Sequence, residues 1–170
     1  MQRVALTLLL AFTAACQPTA PGRVEAPADS AAEEVAIELA GLQDAAVVVP
    51  VEVNGSGPFD FILDTGATLT CVDSVLGDSL ALPERGGLLG YGVGAGGSGR
   101  MRFVQVDSLR VGAARAEDLA ACVLDLEQVR TIGLDVDGLL GLNFLKSFRV
   151  TLDFEREVLI LQEPEPTGAE

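Results

Sequence analysis

From about residue 45 onward, apolar residues either alternate with polar ones or gather in short runs, and turn residues separate the runs. The stretch 45–53, AAVVVPVEV, is rich in β-branched residues and stops at Asn54-Gly55, a pair whose access to positive φ favours a tight hairpin. A second predicted strand, 59–63, leads directly into Asp64-Thr65-Gly66-Ala67-Thr68, after which alternation resumes through Leu69, Cys71 and Val75. Residues 86–99 hold too much glycine for a core element but are flanked by Leu88, Leu89, Met101, Phe103 and Val104, which predicts a mobile hairpin. Further strands are predicted at 102–106, 108–111, 119–126, 149–154 and 157–162, with 138–148 as the one helical segment. The pattern is all-β with one short helix.

The two ends of the chain follow different rules. Residues 1–16 carry Arg3, an apolar run over 4–12 and small residues before Cys16, the order of a secretory leader, and the run is too short to span a membrane. Thr13-Ala14-Ala15-Cys16 resembles a bacterial lipobox with Thr13 where Leu is usual. That resemblance implies lipidation of Cys16 and a protein anchored in the bacterial cell envelope, facing the periplasm or the exterior. Residues 17–44, with much Pro, Ala, Asp and Glu, are expected to form a flexible spacer; 45–162 form one folded domain, and 163–170 a disordered acidic tail.

Composition narrows the chemistry. The 170 residues include no His, which removes Ser-His-Asp and Cys-His catalysis together with the commonest zinc sites. A net charge of −14 without a basic patch argues against a nucleic-acid partner. No metal or cofactor site is expected: Asp135 and Asp137 flank Val136 beside a glycine turn, but the twelve-residue calcium pattern is missing and a solvated turn is the expectation. Asp73, Asp78, Asp125 and Asp153 have no comparable setting. With Cys16 assigned to the anchor, Cys71 and Cys122 remain, either as buried thiols or as a disulfide.

Asp-Thr-Gly is an ordinary turn tripeptide, but here it stands between two apolar strands rather than at a polar loop tip. In that setting Asp64 supplies a carboxylate held at the floor of a cleft, and Gly66 lets its backbone N–H face that carboxylate. Thr65 offers a hydroxyl to a partner loop, and Ala67 leaves room for substrate. Residues 61–68, Phe-Ile-Leu-Asp-Thr-Gly-Ala-Thr, the glycine-rich stretch near 90–99 and residues 137–145, Asp-Gly-Leu-Leu-Gly-Leu-Asn-Phe-Leu, together resemble the retropepsin-like aspartic proteases over about 47–161.

The resemblance implies a single-lobed acid-protease β-barrel and a catalytic Asp64 supported by Thr65, Gly66, Ala67 and Thr68. It also implies a second signature, Gly138, Leu139, Leu140 and Gly141, packed on that loop, and a flap with Tyr91, Gly92 and Gly94 as candidates. Thr68 departs from the Asp or Ser that the retroviral enzymes carry soon after the motif. Because the motif occurs once, the implied activity, hydrolysis of a polypeptide by water held between two carboxylates, calls for a homodimer with one Asp64 from each chain. The alternative is a catalytically silent peptide-binding or scaffold lipoprotein on the same fold.

Overall fold

The computed structural model describes residues 24–25, 34–94 and 97–164. The expected leader, Cys16 and most of the expected spacer and tail lie outside the described residues, as do the side chains of Tyr91, Gly92 and Gly94.

In chain order the elements are β1 (Val24–Glu25), β2 (Glu34–Ala36), β3 (Glu38–Ala40), β4 (Ala46–Val53), β5 (Ser56–Leu63), β6 (Cys71–Asp73) and α1 (Ser74–Ser79). There follow β7 (Glu84–Gly94), β8 (Gly97–Val111), β9 (Ala114–Leu124), α2 (Glu127–Arg130), β10 (Gly138–Leu140), α3 (Leu142–Leu145), β11 (Arg149–Asp153) and β12 (Val158–Gln162). Strand alternation decides what faces inward. In β4, Val49, Val51 and Val53 are fully buried, and the β4–β5 turn places Asn54 and Gly55 at positive φ as a tight hairpin requires.

Six strands close a barrel, each hydrogen-bonded to the next in the order β4, β5, β10, β6, β9, β8 and back to β4. Two of the contacts, β10 with β5 and β6 with β9, are parallel; the others in the ring are antiparallel. Inside lie Phe61, Val72, Val104, Val106, Leu109, Leu140 and Phe144. Burying a side chain of this size contributes roughly 2 kcal/mol. A separate sheet, β11-β12-β2, adds Val35, Leu159 and Leu161 to the same core.

Three details depart from the sequence pattern. Residues 34–40, expected within the spacer 17–44, are strands: β2 pairs with β12 and β3 with β4, because Val35 and Ile37 alternate with exposed glutamate and alanine and bury their side chains. The segment 138–148 divides into strand β10 and the single turn of α3, since a short apolar run buried on both faces reads alike as helix or strand. Helices α1 and α2 appear where none was expected. Both are one or two turns long and too short to show helical periodicity.

Candidate active site

Asp64 is the first residue after β5, and the chain there runs beside β10 rather than out into solvent. Leu63 pairs with Leu140, and the Asp64 N–H continues that ladder by donating to the Leu140 carbonyl at 3.0 Å. The loop then folds back on its own carboxylate. Gly66 and Ala67 donate their backbone N–H groups to Asp64 Oδ1 at 2.8 and 3.2 Å, which fixes the direction of the carboxyl group and leaves its second oxygen outside this turn. Asp64 and Ala67 are half-buried, whereas Thr65, Gly66 and Thr68 are exposed.

The expected second signature supports this loop from beneath. Strand β10 fills the gap between the two arms of the loop, with Gly138 opposite Phe61 on β5 and Val72 on β6. A Cβ on Gly138 would stand 2.3 Å from the Phe61 ring, and one on Gly141 2.4 Å from the Leu69 carbonyl group, so both positions need glycine for space. Leu140 is buried in the barrel, while Leu139 sits half-buried on the outer face beside Ile62. Past Gly141, α3 continues the attachment: Leu142 and Asn143 donate backbone N–H groups to the Ala67 and Thr68 carbonyls at 2.8 and 3.1 Å.

Thr70 and Asn143, which the sequence reading did not single out as site residues, lock the end of the loop. Asn143 Oδ1 accepts from the Thr70 N–H at 2.7 Å and from its hydroxyl at 3.0 Å, while Asn143 Nδ2 donates to the Ala120 carbonyl at 2.7 Å. The Thr70 hydroxyl in turn accepts from the Gly141 N–H at 3.1 Å. One amide thereby joins the loop, α3 and β9. The only sequence signal was a polar Asn inside the apolar run 138–145, where a buried polar group demands partners.

Just downstream, Asp73 is 1% exposed and tied on every side. Its carboxylate caps α1 through the Val75 N–H at 3.0 Å, accepts from the Leu126 N–H at 3.1 Å and meets Arg130 at 3.0 Å. Burial pushes its pKa up, but the Arg130 hydrogen bond, the two backbone N–H groups and the Arg130 charge together outweigh it, and the net shift is downward. The solvated turn expected at Asp135 and Asp137 holds for Asp135, whose side chain is fully exposed. Asp137 instead stitches strands together: its N–H and carboxylate bond the Asp60 backbone at 2.7 and 3.0 Å, and its carbonyl accepts from Asp73 at 2.7 Å.

Cys71 and Cys122, left open by the sequence, form a disulfide between adjacent positions of the parallel β6–β9 pair. They lie in a row that crosses the barrel wall as Val48, Ile62, Leu139, Cys71, Cys122 and Phe103, each paired with the next. Paired residues share a face, so the row is an apolar strip that includes Ile62 and Leu139 beside Asp64. Strands β7 and β8 form the glycine-rich hairpin, with Tyr91 opposite Arg100 and Gly92 opposite Gly99. Among the described residues no cluster of three or more acidic or cysteine side chains is placed to hold a metal ion, and no helix is long and apolar enough to cross a membrane.

Residues 49–144, more than half of the chain, match the family described as Aspartyl protease. The fold resembles the crystal structure of a retropepsin-like aspartic protease from Rickettsia conorii, with a TM-score of 0.52 and 20% identity over 85% of this chain and 96% of that one. It also matches the retroviral protease-like domain of Ddi1 from Leishmania major, with a TM-score of 0.43 and 15% identity over 73% of this chain and 98% of that one. No curated protein sequence matches the chain. At 20% identity the likeness to the Rickettsia structure shows the fold.

Proposed function

From the premise that this chain belongs to the aspartyl protease family, we propose that it is an endopeptidase whose active site is completed by a second copy of itself. The observation that carries the reading is Asp64, the first residue past a barrel strand, with one carboxylate oxygen oriented by the Gly66 and Ala67 N–H groups. A loop built in this way holds a carboxylate steady, which is what general acid–base work on a bound water requires.

In the proposed reaction the Asp64 carboxylates of two chains share one proton. The ionised member takes a proton from the water as it attacks the scissile carbonyl carbon, and the protonated member donates to the carbonyl oxygen. Proton return to the amide nitrogen then releases the amine and leaves a carboxylate product. Thr65 is exposed, as a bond to the partner loop needs, and the half-buried Ile62 and Leu139 beside Asp64 suit an apolar substrate side chain.

Asp64→Asn tests the chemistry, since it almost preserves shape while removing the ionisable group. Peptide-library hydrolysis is expected to vanish with the far-ultraviolet spectrum and thermal midpoint nearly unchanged; retained turnover rejects the assignment. The envelope anchor at Cys16 belongs to the same proposal, and the Cys71–Cys122 disulfide supports it because such bonds persist in oxidising compartments. Metabolic lipid labelling is expected in the wild type and lost in Cys16→Ser. Equal labelling in both rejects the anchor.

A further inference from the structure

Strand β9 has one edge that its barrel neighbours leave largely uncovered. On one side β8 accompanies it from Val111↔Ala114 to Met101↔Leu124, whereas on the other β6 reaches only Cys71↔Cys122 to Asp73↔Leu124. The backbone groups of residues 114–117 on that second side form a template for a further extended segment, and Asp118, at positive φ, ends the regular run. The strand that lies there is β1. Val24 pairs with Ala116 and Glu25 with Arg115, antiparallel, and both residues come from within the expected spacer.

Two residues make a short ladder, but the sequence around them fits this edge. Pro21 and Pro27 have no N–H to give a ladder, so they bound a possible strand at 22–26. One step further in the same register, Arg23 falls opposite Glu117. Opposite charges then face each other at two positions, Arg23 with Glu117 and Glu25 with Arg115, and Val24 meets Ala116 between them. The faces agree: Ala114 and Ala116 are buried on the barrel side, while Arg115 is exposed and Glu117 half-buried on the other.

The charges also fix the register. A slip of one residue turns Val24 away from the buried face, and a slip of two sets Glu25 opposite Glu117 or Arg23 opposite Arg115, like charges in either direction. Arg23 is the only Lys or Arg between Arg3 and Arg85, so the one cation of that long stretch sits where this edge offers a glutamate.

We propose that the open edge of β9 is a docking site for the chain's own residues 22–26, and that by clasping them the barrel takes up the spacer as an added strand and shortens the tether leading back to residue 16. Cys16 is 34 − 16 = 18 residue steps from Glu34 but only 24 − 16 = 8 from Val24. At roughly 3.5 Å per extended residue the greatest reach falls from about 60 Å to about 30 Å. The consequence for distance from a membrane rests on the anchor reading of Cys16 given above; the clasp itself does not.

Amide hydrogen exchange followed by NMR in the full chain, held in detergent micelles, tests the clasp. Neighbouring positions of an antiparallel pair alternate between exchanging both N–H···O bonds and exchanging none. One of the two pairs, Val24 with Ala116 or Glu25 with Arg115, is therefore expected to show slowed exchange at both of its amides. Glu25→Arg and Arg115→Glu each set like charges opposite each other and are each expected to speed exchange at the β1 amide about fivefold, and the double variant to restore it. Arg115 also pairs with Glu117 of its own strand at 2.9 Å, so Glu25→Arg, which leaves β9 untouched, is the deciding single variant. Arg23→Glu is expected to act in the same direction.

Exchange at residues 24 and 25 as fast as in an unstructured peptide, or slowed equally in wild type and Glu25→Arg, overturns the clasp. Cross-peaks between labelled residues 24–25 and unlabelled β9 in a mixed sample place the strand in a second copy and overturn an intrachain clasp. A clasp that behaves as expected in a chain without lipid on Cys16 supports the docking site and rejects only the anchor.

Discussion

Asp73 shows how a single side chain governs the ground beneath the site without touching substrate. Its folded pKa lies below the ordinary value of 3.8, so the ionised form is the one the fold stabilises. The sign follows directly: the contribution is fully present above the unfolded value near 3.8 and is lost as pH falls through the lower folded value. Acid is therefore expected to loosen α1, the start of α2 and the β6 end of the Asp64 loop. Asp73→Asn removes the Arg130 ion pair and is expected to lower stability at neutral pH by about 1–3 kcal/mol. The diagnostic quantity is the change in urea midpoint between pH 7 and pH 3, which should be larger in the wild type than in Asp73→Asn. Equal changes mean that another carboxylate carries the acid sensitivity.

At the scale of elements, what the sequence displayed was periodicity, and what it concealed was contact. The strands β4, β5 and β12 were visible because their apolar residues alternate or cluster between turn residues, and Asp64 was visible because a turn tripeptide stood between β5 and the apolar stretch that becomes β6. The Thr70–Asn143 lock was not, since its partners are 73 residues apart and the bonds depend on how α3 meets the loop. Asp73 likewise read as one aspartate among many until α2 brought Arg130 to it.

The disulfide belongs with the concealed contacts. Separation along the chain gives no hint that Cys71 and Cys122 occupy facing positions of a parallel ladder only three pairs long. Closing 51 residues of sequence separation restricts the unfolded chain and stabilises the fold by up to about 4 kcal/mol. Replacing both cysteines with alanine is expected to lower the thermal midpoint by several degrees and to reduce hydrolysis, because β6 is the downstream support of the Asp64 loop. Unchanged midpoints in calorimetry reject a stabilising role for the bond.

For the whole molecule the controlling variable is concentration. On the proposed two-chain reading one chain supplies one Asp64 and only the dimer holds a working site; below the dissociation constant the dimer population falls with the square of the chain concentration. Specific activity is therefore expected to decline in proportion to dilution there, and to level off where sedimentation shows the dimer saturated. The net charge of −14 on each chain opposes association and favours a weak dimer in free solution. A lipid anchor at Cys16 would confine the chains and raise their effective concentration, so vesicle-bound protein is expected to hold its activity at dilutions that silence an unanchored form. Mixing supplies the decisive form of the experiment. At concentrations where sedimentation shows the dimer saturated, and with Asp64→Asn chains associating as well as wild type, a ninefold excess leaves only about a tenth of the wild-type chains paired with one another, and activity should fall to about that fraction. Activity that survives the excess undiminished, or that persists in a species shown by sedimentation to be monomeric, rejects a site shared between two chains.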